Sequence, residues 1–597
     1  MAKKYIDVMD TTFRDGFQSV FGARVLMDDF FPAVEAARKA GITHFEFGGG
    51  ARFQSLFFYL NENAFEMMDK FREIVGKEAN LQTLARGVNT VMLDTGSSEL
   101  IDLHAKMFAK HSTTTIRNFD ALNDVENLKY SAECIKKHGI QHEVVVTMMD
   151  LPPGCSGAHD VAFYEKTVRE ILDSGIVFDS LCFKDASGTS SPQKVYETIK
   201  MARKLLGTDV HLRLHTHETA GVSVACYMAA LDADVDGIDM AASPVSGGTS
   251  QPDILTMLHA TKGTNYNLGN LELEKILQYE ETLAKCLDDY FLPPEATMVS
   301  PLIPFSPMPG GALTANTQMM RDNNILDKYP EVIKAMREVV EKGGYGTSVT
   351  PVSQFYFQQA LNNVMQGKWK AIAPGYGKMV LGYFGKTPVA PDPEIVKLAS
   401  EKLNLEPTTK TALELANADE TKSLKYWENK LQEEKIAITE ENIFIAAACG
   451  EKGITFLKGE AEVNVRKKST MPQENKQENI KEESSLCGTY TVVVDGEKYN
   501  VVVAEGEGEI AVSEVKAQPE SSSKSNDTTD IKVLLPGNVW KIVANAGQSV
   551  AEGDVIMILE SMKMQIDVVA PRGGVIKSID VSVHDKVVEG QVVAVLG

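Results

Sequence analysis

The chain has seven cysteines in 597 residues, widely scattered and none in a Cys-x-x-Cys pair. That scarcity excludes a disulfide framework and a zinc knuckle, and predicts thiols packed into cores in a reducing compartment. Positive charge is short as well: 60 Lys+Arg against 82 Asp+Glu leave a net −22, and no local basic patch offsets it. A phosphate backbone or an anionic membrane face would be repelled, so no nucleic-acid partner is expected. No apolar run approaches the roughly 20 residues of a membrane span. Residues Met1 to Asp10 lack the apolar core of a secretory leader, so the expectation is a cytoplasmic protein. Thr297 to Met320 carries no charge, but Pro301, Pro304, Pro307, Pro309, Gly310 and Gly311 break any helix there. What is present is 43% hydrophobic and 24% charged residues, enough to bury large cores. At about 150 residues per unit the length predicts about four units.

From residue 1 to about 290 one pattern recurs: an amphipathic stretch, a glycine, then a short β-branched or aromatic run ending in polar residues. The runs begin near Ile6, Ile42, Leu81, Thr114, His142, Ser180, Val210 and Gly237, and Gly41, Gly76, Gly139, Gly175 and Gly207 precede five of them. Eight β/α units predict an α/β fold closed as a (β/α)8 TIM barrel, with the run ends converging on one mouth. The competing arrangement is an open doubly wound sheet, whose ligands gather at one switch point. Residues 291–468 lose the alternation and carry helical patterns such as Tyr329 to Lys342 and Ser353 to Gly367, predicting a helical C-terminal extension of the barrel. Residues 469–530 read as two solvated linkers, rich in Ser, Glu, Gln, Asn and Lys, flanking a small β island at 488–512 with Asp495-Gly496 as its turn.

Residues 531–597 contain a repeat: Val550 to Leu559 aligns with Val587 to Leu596. Two equivalent halves predict a pseudo-two-fold all-β sandwich. Between them lies Glu560-Ser-Met-Lys-Met564, which puts Lys563 on a turn where packing has no need of a lysine.

Within the barrel, His215 and His217 stand two residues apart, so a strand would point both to one face. Asp15 at the first run's end adds a hard anionic oxygen, and the three together suit a divalent metal. Lys184, at another run end, is cationic when unmodified and would repel such an ion; paired with Asp185 it is an ordinary ion pair. Thr249 alone reads as a turn residue, and Arg86 alone as a surface ion pair.

The C-terminal block resembles the biotinyl carrier domain, through Glu560 to Met564, Ala570-Pro571, Gly574, Glu552-Gly-Asp554 and Glu589-Gly590. The resemblance implies biotin attached to Lys563 by a biotin protein ligase. Residues 5–465 resemble the carboxyltransferases of pyruvate carboxylase, oxaloacetate decarboxylase α chains and transcarboxylase. The likeness is carried by Phe13 to Ser19, Leu84 to Asn89, Asn118 to Asn123, Phe183 to Gly188, His215 to His217, Ser246 to Pro252 and Met308 to Gly311. It implies metal ligation by Asp15, a carbamylated Lys184, His215 and His217, with zinc or manganese as the metal. It also implies that Gln18 and Arg86 hold a keto acid and that Thr249 shuttles a proton. Gly16 and Phe17 depart from the family's Ala-His pair and lean toward the acyl-CoA condensing barrels, which lack Lys184 and the carrier. The implied activity is transfer of a carboxyl group from carboxybiotin to pyruvate, giving oxaloacetate for anaplerosis and gluconeogenesis. A separate biotin carboxylase subunit is the implied partner, and a homo-oligomer is expected. The alternatives are the α subunit of a sodium-pumping oxaloacetate decarboxylase, which would add a membrane partner, and a 2-oxoglutarate carboxylase subunit. Thr249-Ser-Gln-Pro252 looks like the carboxylases, where the sodium pumps carry Thr-Tyr-Gly-His.

Overall fold

The computed structural model describes residues 3–470, 488–494, 497–503, 528–533, 537–561, 564–588 and 590–597. The expected linkers for the most part, the Asp495-Gly496 turn and Lys563 lie outside the described residues. Eight parallel strands close into a barrel: β1 (Asp7–Asp10), β2 (His44–Gly49), β3 (Asn80–Ala85), β4 (Thr115–Asn118), β5 (Gln141–Thr147), β6 (Ser180–Asp185), β7 (His211–Thr216) and β8 (Gly237–Met240). β8 pairs back onto β1, from Asp7 opposite Gly237 to Asp10 opposite Met240, which settles closure against the open sheet.

Alternation along each strand sorts side chains between two environments. Phe45, Ile116, Val144, Val146, Leu181, Phe183, Leu212, Leu214 and Ile238 belong to one buried apolar cluster shared with the surrounding helices. The residues between them in sequence face the barrel interior, which is filled with charge at its middle. Arg117 Nε meets Glu143 Oε1 at 2.5 Å and its Nη1 meets Asp239 Oδ2 at 2.5 Å. Arg213 joins Asp239 at 3.0 Å and also pairs with Asp7. His44 bridges Asp7 and Gln82, and Gln82 donates to Glu143 at 2.8 Å. Buried charges persist only when paired and hydrogen-bonded, and each of these finds several partners on other strands.

Above this layer the helical extension roofs the mouth. Leu84, Val145 and Cys182 from the barrel pack in one cluster with Met308, Leu313, Val349, Phe355 and Tyr356 from the extension. Its helices include Gly310–Asp322, Tyr329–Lys342 and Val352–Met365. Residues Gly488–Val494 and Glu497–Val503 pair antiparallel.

The C-terminal domain is two four-stranded antiparallel layers around Ile531, Val539, Ile556, Leu559, Ile576, Val593 and Leu596. Val555–Ser561 lies in one layer and its repeat partner Val592–Leu596 in the other, the exchange that a two-fold sandwich requires. Cys134, Cys182, Cys226 and Cys449 are buried and Cys155 and Cys286 half-buried, all as free thiols; Cys487 lies outside the described residues. Among the described residues no helix is long and apolar enough to cross a membrane.

Candidate active site

Strand β7 carries Arg213 and His215 on its inner face at successive alternate positions, and His217 follows just beyond the strand end at Thr216. Asp15 sits in the turn Thr12–Gly16 after β1, and Lys184 near the end of β6. Barrel closure brings these four together. Asp15 Oδ2 lies 3.1 Å from His215 Nε2, 3.2 Å from His217 Nε2 and 3.5 Å from Lys184 Nζ. The two Nε2 atoms are 3.0 Å apart, and Lys184 Nζ is 2.6 Å from that of His215.

Each imidazole has its Nδ1 against an acceptor. His215 Nδ1 is 2.8 Å from Asp239 Oδ2, and His217 Nδ1 is 2.7 Å from the Thr249 carbonyl. An acceptor there requires Nδ1 to carry the proton, which leaves both Nε2 lone pairs directed at the point Asp15 also faces. Asp15, His215 and His217 are thus a buried metal-capable group. Burial opposes ionisation of Asp15, yet Arg14 and then Lys184 hold its carboxyl well below the usual carboxylate range. Burial also lowers His215, with Lys184 adding to the effect, so its imidazole is neutral as a ligand must be. Burial lowers Lys184 as well, against the attraction of Asp15. As an ammonium Lys184 would occupy the point where the lone pairs meet; as an anionic carbamate it would complete the donor set.

Asp239 and Gln251, to which motif reading gave no role, organise this group. Asp239 fixes the His215 ring and is itself held by Arg117 and Arg213. Gln251 takes hydrogen bonds on its carbonyl from Thr11 (2.7 Å) and Ser250 (3.1 Å), which turns its amide nitrogen toward Asp15 and His217, each at 3.0 Å. These contacts join separate strands and loops, so local spacing carried no sign of them. Asn in place of Asp239 keeps the shape but weakens the acceptor, and the expected result is a 10- to 100-fold loss of metal affinity, read by competition with a chelator.

Beside the group lies a cavity of 220 Å³ lined by Arg14, Gln18, Arg86, Lys184, Ala312 and Gln354, among others. Arg86 is buried, and Nη1 donates to the carbonyls of Val91 (2.6 Å) and Met92 (3.0 Å) while Nε has no partner. Burial, with Arg14 nearby, brings its guanidinium down to about 9. Among the described residues no carboxylate pairs with it, so the surface ion pair is not what the structure shows. The Oε1 atoms of Gln18 and Gln354 are also buried without partners. A small anion fits this lining because a planar guanidinium can bind a carboxylate at two points.

Thr249 is fully buried and its hydroxyl donates to the Ser19 carbonyl at 2.9 Å, outside the cavity wall. To serve there it must turn about χ1. Its position depends on Gly310: a Cβ at that residue would fall 1.6 Å from the Thr249 carbonyl. Alanine at Gly310 must therefore push the Thr249 loop, and with it the His217 acceptor, by more than an ångström. About a 100-fold loss of activity is expected, measured as steady-state rate with folding checked by circular dichroism.

Residues 303–503 match a conserved carboxylase domain and residues 530–596 match the domain of biotin-requiring enzymes. One of the subunits of pyruvate carboxylase from Methanocaldococcus jannaschii is 29% identical over 562 residues, covering 94% of each chain. The methylmalonyl-CoA carboxyltransferase 5S subunit of Propionibacterium freudenreichii subsp. shermanii is 30% identical over 410 residues, 69% of this chain and 79% of that one. The carboxyl transferase domain of Rhizobium etli pyruvate carboxylase shares the fold with a TM-score of 0.69 at 23% identity, over 76% of this chain and 78% of that one. With a closed barrel, a metal-capable group at its mouth and a biotinyl sandwich on one polypeptide, the chain belongs to the family of biotin-dependent carboxyltransferases.

Proposed function

We propose that this chain is the carboxyltransferase and carrier component of a two-subunit pyruvate carboxylase, converting pyruvate to oxaloacetate. The observation that carries the reading is a buried Arg86, with no carboxylate partner among the described residues, sharing a 220 Å³ cavity with Lys184, Asp15 and His217. That space suits a small keto acid with one carboxylate. Asp15, His215, His217 and carbamylated Lys184 would hold zinc or manganese; all the donors are nitrogen or oxygen atoms, which these ions accept. Such an ion supplies Lewis acidity, which favours the enolate of a keto acid. Biotin on Lys563 supplies the carboxyl group to be transferred.

The chain's own residues do the rest. Arg86 grips the substrate carboxylate, and the Gln18 amide, with its terminal group turned to present Nε2, donates a hydrogen bond to a keto acid oxygen. Thr249, once turned from Ser19, can take a proton from the substrate methyl while giving its own to the biotin nitrogen. The Gly310–Asp322 and Val352–Met365 helices exclude water from above, so the enolate meets carbon dioxide rather than a proton. A soluble biotin carboxylase would be the partner; the Methanocaldococcus jannaschii relative, itself a subunit of pyruvate carboxylase and matched over 94% of its length, supports this. A biotin protein ligase would load the carrier, and a cytoplasmic homo-oligomer fits this assignment.

The test mixes the purified biotinylated chain with a soluble biotin carboxylase, ATP, bicarbonate and pyruvate, without membranes. Oxaloacetate is expected. Activity only beside a membrane subunit, or with 2-oxoglutarate in place of pyruvate, would overturn the assignment.

A further inference from the structure

Arg52 is fully buried on the short helix Gly50–Ser55, which follows β2. Among the described residues no carboxylate lies within ion-pair distance of it. Its Nη1 donates to the Ala23 carbonyl at 2.5 Å, while Nε and Nη2 have no hydrogen-bond partner. The ring centroids of Phe30 and Phe17 lie 5.4 and 5.7 Å from its guanidinium carbon. Phe17 is a residue at which the first motif departs from the carboxyltransferase pattern, and its ring receives a cation that a protonated histidine would repel. Burial brings the guanidinium down to about 10. A cation kept so deep for a single hydrogen bond is costly, so the use of the residue lies in that bond.

The bond falls on a strained turn. The helix Phe17–Phe21, which carries Gln18, ends in two left-handed residues, Gly22 at φ 60° and Ala23 at φ 67°. Glycine adopts that conformation freely, whereas the Cβ of alanine crowds the following carbonyl. Inside the turn the Ala23 amide donates to the Phe17 carbonyl at 2.9 Å. From outside, Arg52 and the Ser55 hydroxyl, the latter at 3.1 Å, both donate to the Ala23 carbonyl. Gln54 donates to the Ala448 carbonyl at 2.7 Å, so the helix bearing both donors is itself fastened to the helix Glu440–Leu457. Gln18 and Gly22 line the 220 Å³ cavity. A Cβ on Gly50 would lie 3.6 Å from Gln18 Oε1, so the two short helices meet beside the glutamine head.

We propose that Arg52 is a positioning residue for the keto acid: with Ser55 it keeps the Gly22–Ala23 turn left-handed, and the turn sets the angle at which Gln18 enters the cavity. The inference deepens the proposed function and rests on the role given there to Gln18. Without its donors Ala23 relaxes toward the ordinary helical region, the end of the helix Phe17–Phe21 shifts, and the Gln18 amide loses its aim. Asp15 is held separately, by Arg14, Gln251 and the two histidines, so the metal group stays in place and the effect falls on substrate binding.

The test follows pyruvate kinetics in the full biotinylated chain with a soluble biotin carboxylase, ATP and bicarbonate, beside hydrogen exchange of the backbone amides at 17–24. Arg52→Met keeps an apolar stem and removes the donors. It should raise the KM for pyruvate about 10-fold, the contribution of one hydrogen bond from a charged donor, with kcat within about 2-fold. Ser55→Ala should raise KM by about 2- to 3-fold. Exchange at 17–24 should quicken in both variants, more in the first. Adding Ala23→Gly to Arg52→Met should restore most of the KM, since glycine holds the turn unaided; loss of packing alone would not be rescued this way. In a Gln18→Ala background, Arg52→Met should add less than about 2-fold to KM. An unchanged KM in both single variants, or an equal rise with and without Gln18, would overturn the proposal. If Arg52→Met does not fold by circular dichroism, Ser55→Ala and its rescue by Ala23→Gly decide between the same outcomes. Absence of oxaloacetate from the unmutated chain would instead count against the proposed function, and exchange at 17–24 left unaltered by the variants would still overturn the hold of Arg52 on the turn.

Discussion

Alanine in place of Lys184 is expected to strip the divalent metal and to lower carboxyl transfer by on the order of 10³-fold, the several kcal/mol that a Lewis acid contributes to stabilising an enolate. Lys184 is 4% exposed, and its Nζ lies 2.6 Å from His215 Nε2 and 3.5 Å from Asp15 Oδ2. Asp15 and Glu46 favour an ammonium there, but Arg14 already shares both charges, at 3.1 and 2.6 Å. A neutral amine can add carbon dioxide to become a carbamate, releasing one proton and gaining an anionic oxygen. The substitution removes that oxygen and leaves three donors. Metal content after dialysis should fall in parallel with rate, and a short carboxylate such as formate should restore part of both by entering the vacated space. Arginine should not substitute, since its guanidinium keeps its charge and cannot form the carbamate. Full metal content and rate in the alanine variant would show that Lys184 is only an ion-pair partner of Asp15.

The second large effect concerns the carrier. Lys563→Arg should abolish covalent biotin and with it all transfer from the chain's own cofactor. An arginine keeps the length and charge but presents no amine that can be acylated. Because the barrel and the sandwich have separate apolar cores, the body should keep its reaction with free biotin. A streptavidin blot and the two assays separate these outcomes; residual biotin on the variant would place the attachment on another lysine.

The barrel was legible because each strand is a short apolar run ending in polar residues, a pattern repeated eight times with a glycine before most runs. The helix Tyr329–Lys342 was legible from its periodicity, and the sandwich from its internal repeat. The interior was not. Arg117, Glu143, Arg213 and Asp239 come from four strands, and each alone looks like any charged residue; only closure reveals that they satisfy one another. His217 stands one residue past the end of β7, so strand alternation does not place it; the Thr249 carbonyl does. For Thr249 the motif marks the residue but not its rotamer, which depends on how Ser19 and Ala296 approach it from distant parts of the chain.

The paired charges inside the barrel also constrain how such a sequence can change. Removing one member of a buried pair leaves its partner uncompensated, at a cost of about 3–5 kcal/mol, a large share of a domain's net stability. Arg117 and Asp239 can therefore drift only through matched exchanges with their neighbours. Asp239 also sets the tautomer of His215, so any such exchange is tested twice, once by folding and once by the metal. The charged middle of this barrel should accordingly be its slowest-changing part, slower even than the loops that touch substrate.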